Sequence, residues 1–230
     1  MSKFDTLIQI IKTIVRDPST LKRVLVVEKQ PEKLTHDKIY DSGYFQFVEQ
    51  TTSRSAGAIA NSIICSFHPS SVVDVGCGTG TLIKLLQEQG VQVKGLEYAE
   101  AALKECWARQ LDVIKFNVAH DLVPPRYRNA DVAVSMEVGQ QLPDSYADQY
   151  VNVLCQVANV VVFSSATPGQ GDRRPLNEQP HQYWIKKFLQ GGYSFDEALS
   201  QQWRNEWKMQ GTAPWFYSNV MIFRKTINGQ

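Results

Sequence analysis

The chain has 230 residues, 43% of them hydrophobic and 20% charged, with a formal net charge of +1. That suffices for one buried core with an appended segment, and it carries too little charge for nucleic acid or an anionic membrane to be the expected partner. The four cysteines, Cys65, Cys77, Cys106 and Cys155, include no CxxC pair, which sets aside a zinc knuckle or a disulfide framework and points to a reducing, cytoplasmic setting without bound metal.

The opening stretch "MSKFDTLIQIIKTIVRD" spaces Phe4, Leu7, Ile8, Ile11, Ile14 and Val15 as an amphipathic helix, with Lys12 interrupting what would otherwise resemble a signal peptide. No apolar run approaches the roughly 20 residues that span a bilayer. After the break at "RDPST", the stretch "YDSGYFQFVEQTTSRSAGAIANSIICSF" predicts a helix ending before "HPSS". Residues 1–70 contain no strand-rich core and are expected to form a helical cap or lid on residues 71–230.

From Val72 the pattern changes. Short apolar runs (Val72–Val75, Val91–Leu96, Val113–Phe116, Asp131–Ser135, Val160–Phe163) alternate with helix-like segments (Leu82–Gln89, Ala99–Arg109, Ser145–Val157). That alternation predicts an α/β fold, a mostly parallel sheet with helices on both faces. A polar loop, "SSATPGQGDRRPLNEQP", precedes one more helix at His181–Gln190, and "GYSF" and "NVMIFRK" read as two closing antiparallel strands. The dense aromatic residues after Tyr183 are expected mainly in the core, with Trp203 and Trp207 on one helical face.

The first strand runs into Gly76-Cys77-Gly78-Thr79-Gly80, a turn that leads into a helix which Thr79 or Thr81 is placed to cap. In such sheets a ligand lies beyond the carboxyl ends of the strands. A dinucleotide prefers G-x-G-x-x-G with its pyrophosphate at the helix start. Here the spacing is G-x-G-x-G, and Asp74 at the strand end repels a pyrophosphate and attracts a cation. S-adenosylmethionine fits better, because it carries an ammonium and a sulfonium and no phosphate. Glu97, ending the second strand, is placed for ribose hydroxyls, with Tyr98 beside the adenine, Asn117 at its amino group and Val118 on its ring face.

These residues resemble the class I S-adenosylmethionine-dependent methyltransferases. "VDVGCGTG" resembles the family's first motif, "LEY" and "FNVAHDL" the second and third, and "DVAVSMEVGQQLPDSYADQYV" the fourth, as found in the branch of ubiquinone-type and natural-product enzymes. The resemblance covers Val72 to Phe163 and implies a Rossmann-like, seven-stranded sheet with a reversed last hairpin. It implies that Asp74, Gly76, Cys77, Gly78 and Gly80 surround the methionine part, that Met136 and Glu137 lie near the sulfonium, and that Tyr44 reaches the cofactor from the cap.

Many members of that branch read E-V-x-E-H-L-P at the fourth motif, whereas this chain reads "EVGQQLP", with Gln140 and Gln141 at the Glu-His places. Without a histidine there, a nitrogen acceptor that needs no base is favoured over a phenol. The candidate catalytic residues are Glu137, Gln141 and His181, the last of these as substrate contact or base. His36 and His120 are weaker candidates, and His68 reads as a turn residue. The expected activity is methyl transfer to a small-molecule acceptor, in secondary-metabolite tailoring, by a cytoplasmic monomer or homodimer. The alternatives are a non-catalytic module that binds the same cofactor, and a methyltransferase acting on a macromolecule.

Overall fold

The computed structural model describes residues 36–171 and 176–226. The amphipathic helix expected at residues 4–15 lies outside them, as does the side chain of His36. The chain divides into residues 1–38 and a unit spanning Ile39–Gln230; the second unit is described below.

That unit opens with helix α1 (Ser42–Phe67), whose first turn is closed by Asp41, the carboxylate accepting the Tyr44 N–H at 2.8 Å. It ends at His68 in the left-handed region, as a turn residue should. Then follow β1 (Ser71–Val75), α2 (Thr81–Glu88), β2 (Gln92–Glu97), α3 (Glu100–Ala108), β3 (Val113–Lys115), β4 (Ala130–Met136), α4 (Ala147–Val157) and β5 (Ala158–Ser164). The chain closes with α5 (His181–Gln190), β6 (Tyr193–Phe195), α6 (Glu197–Met209), α7 (Pro214–Asn219) and β7 (Met221–Lys225).

The seven strands form one sheet in the order β3-β2-β1-β4-β5-β7-β6. The first five are parallel; β7 runs antiparallel to both β5 and β6. This is the Rossmann-like sheet with the reversed final hairpin that the sequence implies. The strands read as continuous apolar runs because both faces are covered. Val72, Val132, Val134, Val162 and Ile222 face a layer formed by α1, α2, α3, α6 and α7; Val73, Ala133, Val161, Phe163 and Phe223 face α4 and α5.

The sequence places residues 42–67 in a cap, but the C-terminal half of α1 is core. Ile59, Ala60 and Ile63 are buried in the same cluster as Val72 and Leu86. Ser62 and Ser66 of α1 accept the indole N–H groups of Trp207 and Trp203 at 2.8 and 3.2 Å. Trp203 and Trp207 do share one face of α6, with ring centroids 5.3 Å apart. Helical spacing reveals which face is apolar and not what covers it, so a covering layer and a lid look alike in sequence.

The α1 packing is testable. Ile63→Ala removes a fully buried side chain and is expected to lower unfolding free energy by about 2–5 kcal/mol. Phe47→Ala, on the same helix but 63% exposed, should change it by no more than about 0.5 kcal/mol. Urea denaturation of both variants measures the contrast.

Candidate active site

The strand order reverses between β1 and β4, so the crevice of an open α/β sheet lies at their carboxyl ends. There β1 passes into the glycine turn, which stays anchored to β2: the Gly76 and Cys77 N–H groups both donate to the Leu96 carbonyl, at 2.7 and 3.3 Å. Gly76 and Gly80 have φ of +77° and +78°, and a Cβ there would lie 2.4 Å from Val138 Cγ2 and 2.3 Å from Leu111 Cδ1. Only glycine meets both demands. Gly80 itself starts α2 and no side chain caps it. The expected capping by Thr79 or Thr81 is therefore corrected; the Thr81 hydroxyl instead reaches Glu49 Oε1 on α1 at 3.3 Å.

Two carboxyl groups lie under this turn. Glu97 accepts the Gly78 N–H on one oxygen, at 2.8 Å, and the Tyr98 and Ala99 N–H groups on the other, at 2.7 and 2.8 Å. Burial still raises its pKa, against the pull of those three donors. Asp74 is also buried, and burial, reinforced by the charge of Glu97, pushes its pKa up to about 7. Among the described residues, none favours the charge of Asp74. A cation bound beside it would offset that imbalance.

The N-terminal half of α1 crosses the turn. Phe45, buried, stands 3.7 Å from where a Cβ on Gly78 would lie. Tyr44, the aromatic residue singled out in the sequence, packs edge-on between Tyr40 and Phe45. Phe45 thus meets the turn, and no feature of the sequence marked it. Glu49 pairs with Arg109 at 2.9 Å, and Arg109 also donates to the Thr79 carbonyl at 3.3 Å, fastening α1, α3 and the turn together. The pair lowers the pKa of Glu49 and raises that of Arg109.

The other expected cofactor residues have distinct settings. Cys77 turns its sulfur inward, where a Cβ on Gly95 would lie 2.8 Å from it, so only its backbone faces the turn. Tyr98 is exposed, with the Lys115 ammonium 5.8 Å from its ring centroid. Asn117 accepts the Ala119 N–H on Oδ1 at 2.9 Å, and Val118 packs against the α4–α5 core. Met136 ends β4, partly buried against the opposite core layer. His120 meets the Tyr146 ring edge-on.

Glu137 follows directly, with φ +57°, a left-handed conformation that costs a non-glycine residue about 1–3 kcal/mol. Its N–H donates to the carbonyl and hydroxyl of Ser164 at 3.0 and 3.1 Å, fixing it between β4 and β5. The Gln141 side chain donates to the Glu137 carbonyl at 3.1 Å. Gln140 is buried and spans the site: its Nε2 donates to Glu137 Oε2 at 3.2 Å, while its Oε1 accepts from Ser165 Oγ and the Ala166 N–H. Both glutamines brace the loop after β4. His181 opens α5 with Nδ1 3.4 Å from the Arg204 guanidinium. A guanidinium only donates, so Nδ1 accepts and the neutral ring carries its proton on Nε2. Burial and Arg204 lower its pKa. In that state Nδ1 is an acceptor and Nε2 a donor. Gln170 and Asn219, which also reach Glu137, carry no motif and were missed.

A family model described as methionine biosynthesis protein MetW matches residues 59–168, just under half of the chain. A ubiquinone biosynthesis O-methyltransferase of Nitrosomonas europaea is 33% identical over 88 residues. That match takes in 36% of this chain and 37% of the relative, so the chain spans little more than a third of that protein's length. Among solved structures, Streptomyces venezuelae DesVI superposes with a TM-score of 0.59 at 16% identity, over 84% of this chain and all of that one. Magnesium protoporphyrin IX methyltransferase (ChlM) from Synechocystis PCC 6803, with bound S-adenosylmethionine, gives 0.58 at 16% identity, over 94% and 97% of the two chains. At such identities the structural likeness is one of fold, and it coincides with the motif order along β1 to β5. The chain is thus similar to S-adenosylmethionine-dependent methyltransferases in its fold and in the order of its motifs.

The raised pKa of Asp74 has a consequence for stability. The folded state holds the Asp74 proton up to about pH 7, whereas an unfolded aspartate releases it near the ordinary value of 3.8. The folded form is therefore favoured at low pH, and this contribution is lost as pH rises from about 4 to about 7, by an amount on the order of 4 kcal/mol. Asp74→Asn should remove that pH dependence and be more stable than the parent at pH 8, as urea midpoints at pH 5 and pH 8 will show.

Proposed function

We propose that the chain transfers the methyl group of S-adenosylmethionine to a small-molecule acceptor in biosynthetic tailoring, with nitrogen favoured over oxygen as the receiving atom. The observation that carries the cofactor is the buried pair of acids beneath a bare glycine turn, with Asp74 held near neutral for want of a positive partner. The ammonium and sulfonium of S-adenosylmethionine answer that need; the pyrophosphate of a dinucleotide would worsen it.

Asp74 would hold the ammonium, and the amides where the turn enters α2 suit the carboxylate of the same ligand. Glu97 already gives three acceptor positions to backbone N–H groups, so a ribose hydroxyl would meet the remaining lone pair of Oε2. Tyr98, Asn117 and Val118 would border the adenine, with the Nδ2 donor of Asn117 facing it. Met136 and Glu137, at the end of β4, would lie beside the sulfonium. When bound, the cofactor supplies a methyl carbon already activated by positive sulfur. The chain then has to align an electron pair with that carbon and keep water out. Glu137 is the group offered to the acceptor; Gln141 and His181 brace and orient, and neither takes a proton. That supports an amine acceptor, which needs no strong base. The Nitrosomonas relative, an O-methyltransferase, favours oxygen as the competing choice. We further infer a cytoplasmic protein, monomeric or homodimeric, with no nucleic-acid or membrane partner.

Calorimetric titration with S-adenosylhomocysteine, with NADH and NADPH as controls, tests the cofactor. Binding of S-adenosylhomocysteine alone is expected, and binding of a dinucleotide alone would sink the reading. Asp74→Ala and Glu97→Ala should each weaken binding by at least about tenfold. Because the ammonium requires ionised Asp74, affinity should fall as pH drops below about 7, by up to about tenfold per pH unit. A flat profile between pH 8 and pH 5.5 would exclude Asp74 as the ammonium partner.

A further inference from the structure

Asn219, the last residue of α7, is fully buried and touches the Glu137 carboxylate from the side opposite Gln140. Its Nδ2 donates to Glu137 Oε1 at 3.3 Å and to Gln170 Oε1 at 2.7 Å. Both amide hydrogens are thereby used, and the amide plane is fixed. Gln170 in turn reaches Glu137 Oε2 at 3.4 Å. Asn219 Oδ1 must therefore point away from the carboxylate, and there it is buried without a hydrogen-bond partner.

The residue on that side is His181, whose Nε2 is buried and unpartnered too. Asn219 lies close enough to favour the protonated ring, yet outside hydrogen-bond geometry. Beyond it stands Arg204, tied to the Val220 carbonyl at 3.0 Å and donating to His181 Nδ1. The result is a directional series, from Arg204 to His181 to Asn219 to Glu137, with one link left open.

We propose that Asn219 is a positioning residue, which turns the Glu137 carboxylate toward an acceptor bearing an N–H or O–H proton, with His181 acting only through Asn219. The inference rests on the methyltransferase reading of the same site. It assigns the acceptor class by chemistry: a carboxylate presented in this way accepts the N–H of a neutral amine or the O–H of a hydroxyl, whose lone pair stays free for the methyl carbon, and repels an anion.

Sinefungin tests this without a known acceptor, because it carries an ammonium group where S-adenosylmethionine carries its methyl, and S-adenosylhomocysteine carries nothing there. The parent protein should bind sinefungin about tenfold more tightly than S-adenosylhomocysteine, the scale of a charge-assisted hydrogen bond. Asn219→Ala should bring that ratio to within about twofold of unity while leaving S-adenosylhomocysteine affinity unchanged. Asn219→Ser, which keeps a donor, should restore part of the ratio and serves if the alanine variant does not fold. A ratio unaltered in both variants would overturn the proposal, as would equal weakening of both ligands, which marks a structural role only. Failure of the parent to bind S-adenosylhomocysteine is a distinct result; it would overturn the cofactor reading and this inference with it.

Discussion

Taking two carboxyl groups out of water at the ends of adjacent parallel strands is unfavourable, and much of the site is arranged around that fact. Glu97 is compensated by backbone N–H groups from both the turn and the start of the next segment. Asp74 is compensated by none of the described residues, and it is held near neutrality instead. The difference assigns the two acids unlike tasks. Glu97 is a structural clamp on the Gly78 peptide with one acceptor position to spare, whereas Asp74 is an unmet demand for positive charge. The turn can lie so close to both because two of its glycines occupy positions where any Cβ would strike a neighbour.

The elements around the turn extend that logic outward. The Glu49–Arg109 pair and Phe45 hold α1 across the turn, while the other half of α1 is locked into the core through Ile63 and the two indole hydrogen bonds. One continuous helix thus couples global stability to the cofactor end of the site. At the end of β4 the control is different. Glu137 sits in a strained backbone position and is steered by neutral amides drawn from the loop after β4, the segment after β5 and the end of α7.

What could be read from the sequence was what repeats locally. The five parallel strands were visible because burial on both faces leaves uninterrupted apolar runs such as Val72–Val75. The closing hairpin was visible as two apolar runs bounded by glycine and polar residues. The turn was legible from glycine spacing, and the acid of β2 from its distance beyond the turn. What could not be read depends on partners far along the chain. Nothing near Asn219 distinguishes it from a surface asparagine until β7 carries it to Glu137, 82 positions away. Phe45 and Tyr44 are equivalent by composition, and only the seating of α1 chooses between them. The proton on His181 Nε2 follows from Arg204, 23 positions along the chain.

The path of β7 bears on how the protein is made. Strand β7, the last in sequence, lies inside the sheet between β5 and β6. During synthesis the outer edge of β5 therefore stays open until residue 225 has left the ribosome, and β6, whose last residue lies 26 positions before β7 begins, has no strand to join. Val160 to Phe163, later paired with β7, then form a bare apolar edge of the kind that recruits other chains. A nascent chain stalled before Met221 would hold a nearly complete cofactor crevice beside an adhesive margin, so the final strand also marks the moment when the newly made protein becomes safe from its neighbours.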